Sequence, residues 1–241
     1  MHRFFIARQS IQGDTVVIAG HQARQIRNVL RLKCGDEFAV LDNMGYEYRV
    51  EILDINNEIT GKVVDTFAVE NESQIELVLY QSLIKGDKFD FVLQKNTEIG
   101  VKGFVPMLCH RCVAGQPGQS KMDRWKRILT EAAEQSGRGF IPALEQSCDF
   151  AQVCEELDGP SILLWPGIES EPINNVLKTF QKPERINILV GPEGDFTSEE
   201  IEAAQCAGVR IASVGKRTLR AETAGLVAAS VILYEYSEMG K

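Results

Sequence analysis

The sequence predicts an α/β protein in two parts, a small β-barrel over residues 1–70 and a larger domain over 74–241 built on a mostly parallel sheet. Three observations predict it. Up to residue 68 the apolar runs are short and punctuated by glycine, in the rhythm of strands joined by tight turns. Beyond the polar stretch "VENES" at 69–73, runs of strand length alternate with helical periods, as in parallel strands linked by crossover helices. Three of these later strands enter loops containing glycine, at the ends where α/β sheets collect ligands.

In the first part, strands are expected at "RFFIAR", "TVVIAG", "EFAVLD", "EYRVEILDI" and "ITGKVVD". One helix, "HQARQIRNVLRL" at 21–32, interrupts them. Spacings of three and four place Arg24, Arg27 and Arg31 on one helix face, and Ile26, Val29 and Leu30 on another. One face packs, and the other can meet phosphate or simply be solvated.

In the second part the expected order is "IELVLYQSL", helix 88–99, "GFVPML", helix 122–136, "PALEQ", helix 149–157, "SILLWPG" and helix 172–180. It continues with "INILVGPEG", helix 197–207, "RIASVG" and helix 223–238. Thr197 with Glu200 three positions later reads as a capping box, and Gly208 as a left-handed helix end. The loops "LLWPG" 163–167, "LVGPEGD" 189–195 and "SVGKRTLRAETAG" 213–225 should converge on one pocket. They carry neither Gly-x-Gly-x-x-Gly nor Walker A spacing, so the glycines imply a close ligand without naming it. The last helix mixes Ala224, Gly225, Ala228, Ala229 and Ser230 with Leu226, Val227, Val231 and Ile232, a pattern open to core packing or to association.

Bulk properties narrow the class. The chain has 241 residues and 44% hydrophobic content, enough for a substantial core without staples. No apolar run reaches the length of a membrane span, and "MHRFFIARQS" has no signal-peptide pattern, so a cytoplasmic protein with no membrane contact is expected. Six scattered cysteines suit reduced thiols rather than a disulfide framework, and "CHRC" at 109–112 lacks the further ligands a zinc site requires, so no metal is expected. The net charge of −8 is unevenly distributed, with six basic residues against one acidic in 1–33 and ten against six in 85–138. An acidic protein with basic blocks can still hold a polyanion.

The motifs "GPEGDFTSEE" 191–200, "GKRTLRAETA" 215–224, "LQKNTEIGV" 93–101 and "EAAEQSGR" 131–138 together resemble the RsmE family of SPOUT-class methyltransferases. "RNVLRLKCGDEF" 27–38 is similar to the family's N-terminal RNA-binding barrel, so the likeness spans nearly the whole chain. The resemblance implies a PUA-like barrel, a SPOUT domain with a trefoil knot, S-adenosyl-L-methionine as methyl donor, and a homodimer. It also implies methylation of N3 of a uridine in 16S ribosomal RNA, as free RNA or in the small ribosomal subunit. The chain departs from the family pattern at Asn28, Asn96, Asp195, where a second glycine is frequent, and Thr218.

By this resemblance Leu164, Gly167, Gly191, Glu193, Gly194, Val214, Leu219 and Ala221 are the cofactor positions. The acceptor is an imide nitrogen that carries a proton, so a base and a cation are needed. Arg220 is the candidate cation, with a salt bridge to Glu222 as its rival role. Glu98, one turn after Gln94, is the candidate base, with capping or packing as its rival role. Arg8, Arg24, Arg27, Arg31, Lys95 and Arg138 are the candidates for RNA phosphate. Two other readings use the same residues: an RNA-binding protein without activity whose α/β domain only dimerises, and a metal-dependent hydrolase using Glu193 and Asp195. The three intact loops argue against the first, and the missing Walker lysine against the second. A SPOUT methyltransferase acting on a different RNA is a further alternative.

Overall fold

The computed structural model describes residues 1–167, 170–181 and 183–240, and its contacts divide the chain into two units. Residues 1–72 with 133–141 form the first, and 73–132 with 142–241 the second. These units differ from the expected domains 1–70 and 74–241 chiefly in that residues 133–141 group with the first.

The first unit contains β1 (Arg3–Phe5), β2 (Ile11–Gln12), β3 (Thr15–Ile18), α1 (Gly20–Arg24), β4 (Glu37–Leu41), β5 (Tyr46–Ile55) and β6 (Ile59–Ala68). Its hydrogen-bonded path runs β1-β4-β5-β6-β3-β2, antiparallel except where β1 lies parallel to β4. Alternation places Tyr48, Val50 and Ile52 of β5 inside, with Phe38, Val40 and Ile59. Gly61 is required opposite Val50, because a Cβ there would fall 2.3 Å from the valine Cγ1. Residues 133–141 return to this unit through Ala133 and Ile141, which pack on Phe5, Leu41 and Val69. Glu134 accepts the Phe5 amide at 2.8 Å, and Arg138 forks onto Glu72 at 3.2 and 2.8 Å.

The helix expected at 21–32 is shorter and changes its winding. After α1 the chain runs through a wide π turn over Gln25–Leu30 and leaves it at Arg31 with φ 56. Wider winding carries side chains further around the axis per turn than α spacing assumes. Ile26 is buried and Leu30 packs partly, whereas Val29 is 70% exposed instead of facing the core.

The second unit alternates strands and helices through β7 (Glu76–Ser82), α2 (Lys88–Glu98), β8 (Gly103–Leu108), α3 (Gln119–Ser136, whose last four residues belong to the first unit) and β9 (Ala143–Leu144). It continues with β10 (Cys148–Asp149), α4 (Phe150–Glu156), β11 (Ser161–Leu164), β12 (Glu171–Pro172) and α5 (Ile173–Thr179). Its last elements are β13 (Arg185–Val190), α6 (Ser198–Cys206), β14 (Arg210–Ser213) and α7 (Ala221–Glu235). The strand order is β10-β8-β7-β13-β11-β14-β12 with β9 beside β8, and each pairing is parallel. Helices cover both faces of such a sheet, which is why β13 is mostly apolar, with Ile186, Ile188, Leu189 and Val190 all buried together with Asn187. The two-residue strands β2, β10 and β12 carry no periodic signal of their own.

α6 opens with the expected capping box: Thr197 Oγ1 accepts the Glu200 amide at 3.2 Å, and Glu200 accepts the Thr197 amide at 2.8 Å. Gly208 has φ +81 just past the helix end. On α7 Gly225, Ala228 and Ala229 serve the core, while Ala224 lines the cavity described below. A Cβ on Gly225 would lie 3.1 Å from Leu79 Cδ1, and Ala228 and Ala229 are buried. Among the described residues no helix is long and apolar enough to cross a membrane.

Candidate active site

Register brings the three glycine-bearing loops together. Leu164 of β11 pairs with Val190 of β13 on one side and Ala212 of β14 on the other, so the three strands end side by side. A cavity of about 380 Å³ opens at these carboxyl ends. Leu164, Gly191, Glu193, Val214, Leu219 and Ala221 line it, as does Arg220.

Each loop holds its shape for a local reason. After β11, the Trp165 amide donates to Ala212 O at 2.9 Å, and the indole folds back over Gly167. Gly167 itself lines an adjoining depression that shares Pro166, Val214 and Thr218 with the main cavity. After β13, the Asp195 amide closes a turn on Pro192 O at 3.0 Å, with Asp195 at φ 61. An aspartate tolerates this left-handed conformation but glycine suits it better, which accounts for the departure at this position. Gly191 is tight against the Phe196 ring, 3.0 Å from where its Cβ would sit. Gly194 turns away from the cavity, since a Cβ there would meet Arg111 at 3.1 Å. Arg111 braces the same loop from outside by donating to Gly194 O at 2.9 Å and Phe196 O at 3.2 Å. Gly194 is thus a position that Arg111 braces, and it is not among the residues that line the cavity. After β14, Gly215 has φ 139, and Arg220 stands in extended conformation as the cap of α7.

The charged residues of the cavity form a chain. Lys88, which opens α2, lies with Nζ 3.5 Å from Glu193 Oε1 and 3.7 Å from Glu222 Oε2. Arg220 lies 3.8 Å from Glu222 Oε1 with its side chain 82% exposed. The rival salt bridge to Glu222 thus exists as a long, open contact. Burial pushes the Glu193 carboxyl up, but the amides of Glu193 and Lys85 and the Lys88 ammonium outweigh it and hold it below the usual carboxylate range. For Asp195 burial prevails over the Phe196 amide and Arg111, so its carboxyl is raised.

Glu98 is not in this cavity. It ends α2, ten residues beyond Lys88 and about 15 Å along the axis at helical rise, and it pairs with Lys95 at 2.7 Å. Of this helix, Lys88 at the opposite end lines the cavity. Trp165, Asp195, Arg217 and Glu222 line the cavity from the three expected loops without being among the named cofactor positions, and Lys88 lines it from outside those loops. Lys88 could have been found only from strand order, since the pairing of β7 with β13 brings the start of α2 to the site. Glu222 carried a local signal, being two residues after Arg220 at a helix start. Cys109 and Cys112 of "CHRC" approach each other, with the Cys109 amide donating to Cys112 Sγ at 3.3 Å and Ser82 Oγ 3.0 Å from Cys109 Sγ. The shared hydrogen bond lowers Cys112 and, with burial, raises Cys109. Among the described residues no three His, Cys, Asp or Glu side chains are grouped to hold a metal.

This arrangement has known counterparts. The RNA methyltransferase domain family matches residues 71–233, and the RNA methyltransferase PUA domain matches 18–64. The chain belongs to the RNA methyltransferase family. Within it, a Synechocystis protein named ribosomal RNA small subunit methyltransferase E is 36% identical over 234 residues, covering 96% of this chain and 77% of the relative. The Bacillus subtilis protein of that name is 30% identical over 248 residues, covering 98% and 97%. The structure of ribosomal RNA small subunit methyltransferase E from Neisseria gonorrhoeae bound to S-adenosyl methionine superposes with a TM-score of 0.88, at 27% identity and 98% coverage of both chains.

The basic residues of this RNA methyltransferase chain are disposed unequally. Arg24 and Arg31 are exposed. Arg27 is tied to the β5–β6 turn by donating to Asn56 O at 2.5 Å. Arg8 pairs with the buried Asp42 at 2.9 Å and lies against Tyr48, with its guanidinium 5.6 Å from the ring centroid. Lys95 is taken up by Glu98. Arg138 is corrected outright: its side chain is 5% exposed and forked onto Glu72, so it holds the first unit together and is not presented to phosphate.

Proposed function

We propose that this chain transfers the methyl group of S-adenosyl-L-methionine to N3 of a uridine in small-subunit ribosomal RNA. The observation that carries the reading is the cavity at the joined ends of β11, β13 and β14, found in a chain of this family. Its residues suit the methyl donor. Leu164, Val190, Val214 and Leu219 offer an apolar wall for adenine, and the carboxylate of Glu193 suits a ligand bearing an ammonium and a sulfonium. When bound, the donor supplies an electrophilic methyl group.

The chain's own groups do the rest. Glycine at 191 lets backbone approach the ligand, Trp165 and the apolar wall exclude water, and Arg220 provides a permanent cation for negative charge developing on the uracil oxygens. Arg24 and Arg31, exposed on the first unit, are proposed to meet RNA phosphate.

A SPOUT-type trefoil knot, a homodimer and a cytoplasmic location belong to the same proposal. A dimer is supported by the outer face of α7, where Leu226, Val227 and Val231 are only partly covered and Tyr234 is exposed. Sedimentation of the full chain tests the dimer. For the activity, small subunits from cells lacking the gene are incubated with the chain and S-adenosylmethionine, and their nucleosides are analysed by mass spectrometry. Appearance of N3-methyluridine is expected. No incorporation alongside tight RNA binding would favour the inactive RNA-binding reading.

A further inference from the structure

Three charged side chains of the cavity alternate in sign. Glu222 is flanked by Lys88 Nζ at 3.7 Å from one carboxylate oxygen and by Arg220 at 3.8 Å from the other. Both distances exceed hydrogen-bonding range. The three groups are close enough to be held electrostatically and far enough apart to accept something between them. Glu222 is only 12% exposed in its side chain, and its Oε2 is buried without a hydrogen-bond partner. Leaving a carboxylate oxygen unsatisfied destabilises a fold, so a purely structural residue here would be a poor choice.

We propose that Lys88, Glu222 and Arg220 read the imide edge of uracil, with Glu222 as the acceptor of its N3 proton. This rests on the proposed uridine-N3 methylation. The imide edge presents acceptor, donor, acceptor: O2, N3–H and O4. The cavity offers the complement of donor, acceptor, donor in Lys88, Glu222 and Arg220. Cytosine has a lone pair at N3 and an amino group at C4, so it would set like against like at two of the three positions and be rejected.

The remaining carboxylates of the cavity are less suited. Glu193 already accepts the Lys85 amide at 3.3 Å, and Asp195 accepts the Phe196 amide at 2.9 Å. The charged groups around Glu222 are Lys88 from α2, Glu193 and Asp195 from the loop after β13, and Arg217 and Arg220 from the loop after β14.

The step balances. As N3 bonds to the methyl carbon, the methyl–sulfur bond breaks with its electron pair going to sulfur, and the N3 proton passes to a Glu222 carboxylate oxygen. One sulfonium cation and one carboxylate anion disappear together. The products are a thioether, N3-methyluracil and a neutral carboxylic acid. Lys88 and Arg220 meanwhile hold the charge that gathers on O2 and O4.

The test measures single-turnover methylation of small ribosomal subunits from cells lacking the gene, across a range of pH, with S-adenosylmethionine affinity measured in parallel. Glu222→Gln should lower the rate by about 10²–10⁴-fold, the range for loss of a general base. Its residual rate should climb in proportion to hydroxide, because the acceptor must then ionise without help, and cofactor affinity should stay near wild type. A Gln variant with wild-type rate and wild-type pH profile would overturn the assignment while leaving the methyltransferase reading intact. Should that variant not fold, Glu222→Asp decides. A slower rate with a shifted pH profile supports the proposal, and an unchanged rate and profile overturns it. Wild-type protein that methylates an atom other than N3 would overturn both readings together.

Discussion

A Cβ placed on Gly167 would fall 2.2 Å from Cζ3 of Trp165, so the indole lies on bare backbone. Because Trp165 forms part of the cavity wall, this contact fixes one side of the proposed cofactor site. Gly167→Ala should displace the ring, costing about 1–3 kcal/mol as overpacking does, and weaken S-adenosylmethionine binding more than tenfold at about the usual 1.4 kcal/mol per decade. Calorimetry alongside tryptophan emission checks it. Unchanged affinity would show that the ring does not touch the ligand.

Gly191 and Gly194 should respond differently although they share one loop. Gly191→Val drives a branched side chain toward the Phe196 ring, 3.0 Å from the Cβ position, and should distort the cavity and abolish cofactor binding. Gly194→Ala presses only on Arg111 and should weaken binding modestly. Binding isotherms of the two folded variants, compared directly, give the order.

Arg220→Ala should reduce single-turnover methylation by roughly 10²–10³-fold, as when one preorganised donor is removed. Arg220→Lys should recover little, since a point charge does not reproduce a planar fork. Cofactor and RNA affinities should change far less than the rate. A rate within a few-fold of wild type would leave the long contact to Glu222 as the whole role of Arg220.

The two acidic residues of the loop after β13 should show opposite pH signatures. Glu193 is held below the usual carboxylate range, so its ionised form adds stability above that range, and the contribution disappears as pH falls through its folded-state value. Asp195 is raised by burial, so its charge costs stability once pH has risen through its folded-state value, and the cost vanishes at low pH. Glu193→Gln should therefore lower Tm at neutral pH, while Asp195→Asn should leave it unchanged or higher. Both differences should shrink in acid, and melting curves across pH measure them.

Among the basic residues, Arg24→Glu with Arg31→Glu should lower the log–log salt slope of RNA binding by about 1.4–1.8, two contacts at roughly 0.7–0.9 each. Adding Arg27→Glu should change the slope little more, because that guanidinium is engaged by Asn56 O. Arg138→Gln should instead destabilise the fold by about 3–5 kcal/mol, the effect of breaking a buried pair. Salt titrations and chemical denaturation separate the two kinds of basic residue.

Much of this was legible in the sequence because the signals are local. Apolar-rich runs mark β7, β11 and β13, glycines mark the loops that follow strands, and Thr197 with Glu200 marks the start of α6. What was not legible depends on partners distant in sequence. Lys88 and Glu98 belong to one helix, and only the pairing of β7 beside β13 decides which end meets the cavity. Arg138 looks like a surface base until Glu72, 66 residues earlier, is seen to hold it. Val29 was misplaced because a wide turn replaces α winding, and no residue from Gln25 to Leu30 announces that change.

The return of residues 133–141 to the first unit bears on the order in which the chain can mature. As it leaves the ribosome, the segment up to Glu72 emerges without the acceptor for the Phe5 amide, the cover for Leu41, or the guanidinium that neutralises Glu72. These arrive only once residue 141 is out, after β7, α2, β8 and the second unit's part of α3 have been synthesised. The N-terminal unit therefore cannot close while only its first 72 residues are out, and a gene fragment stopped at residue 72 would encode a body with an unclosed flank.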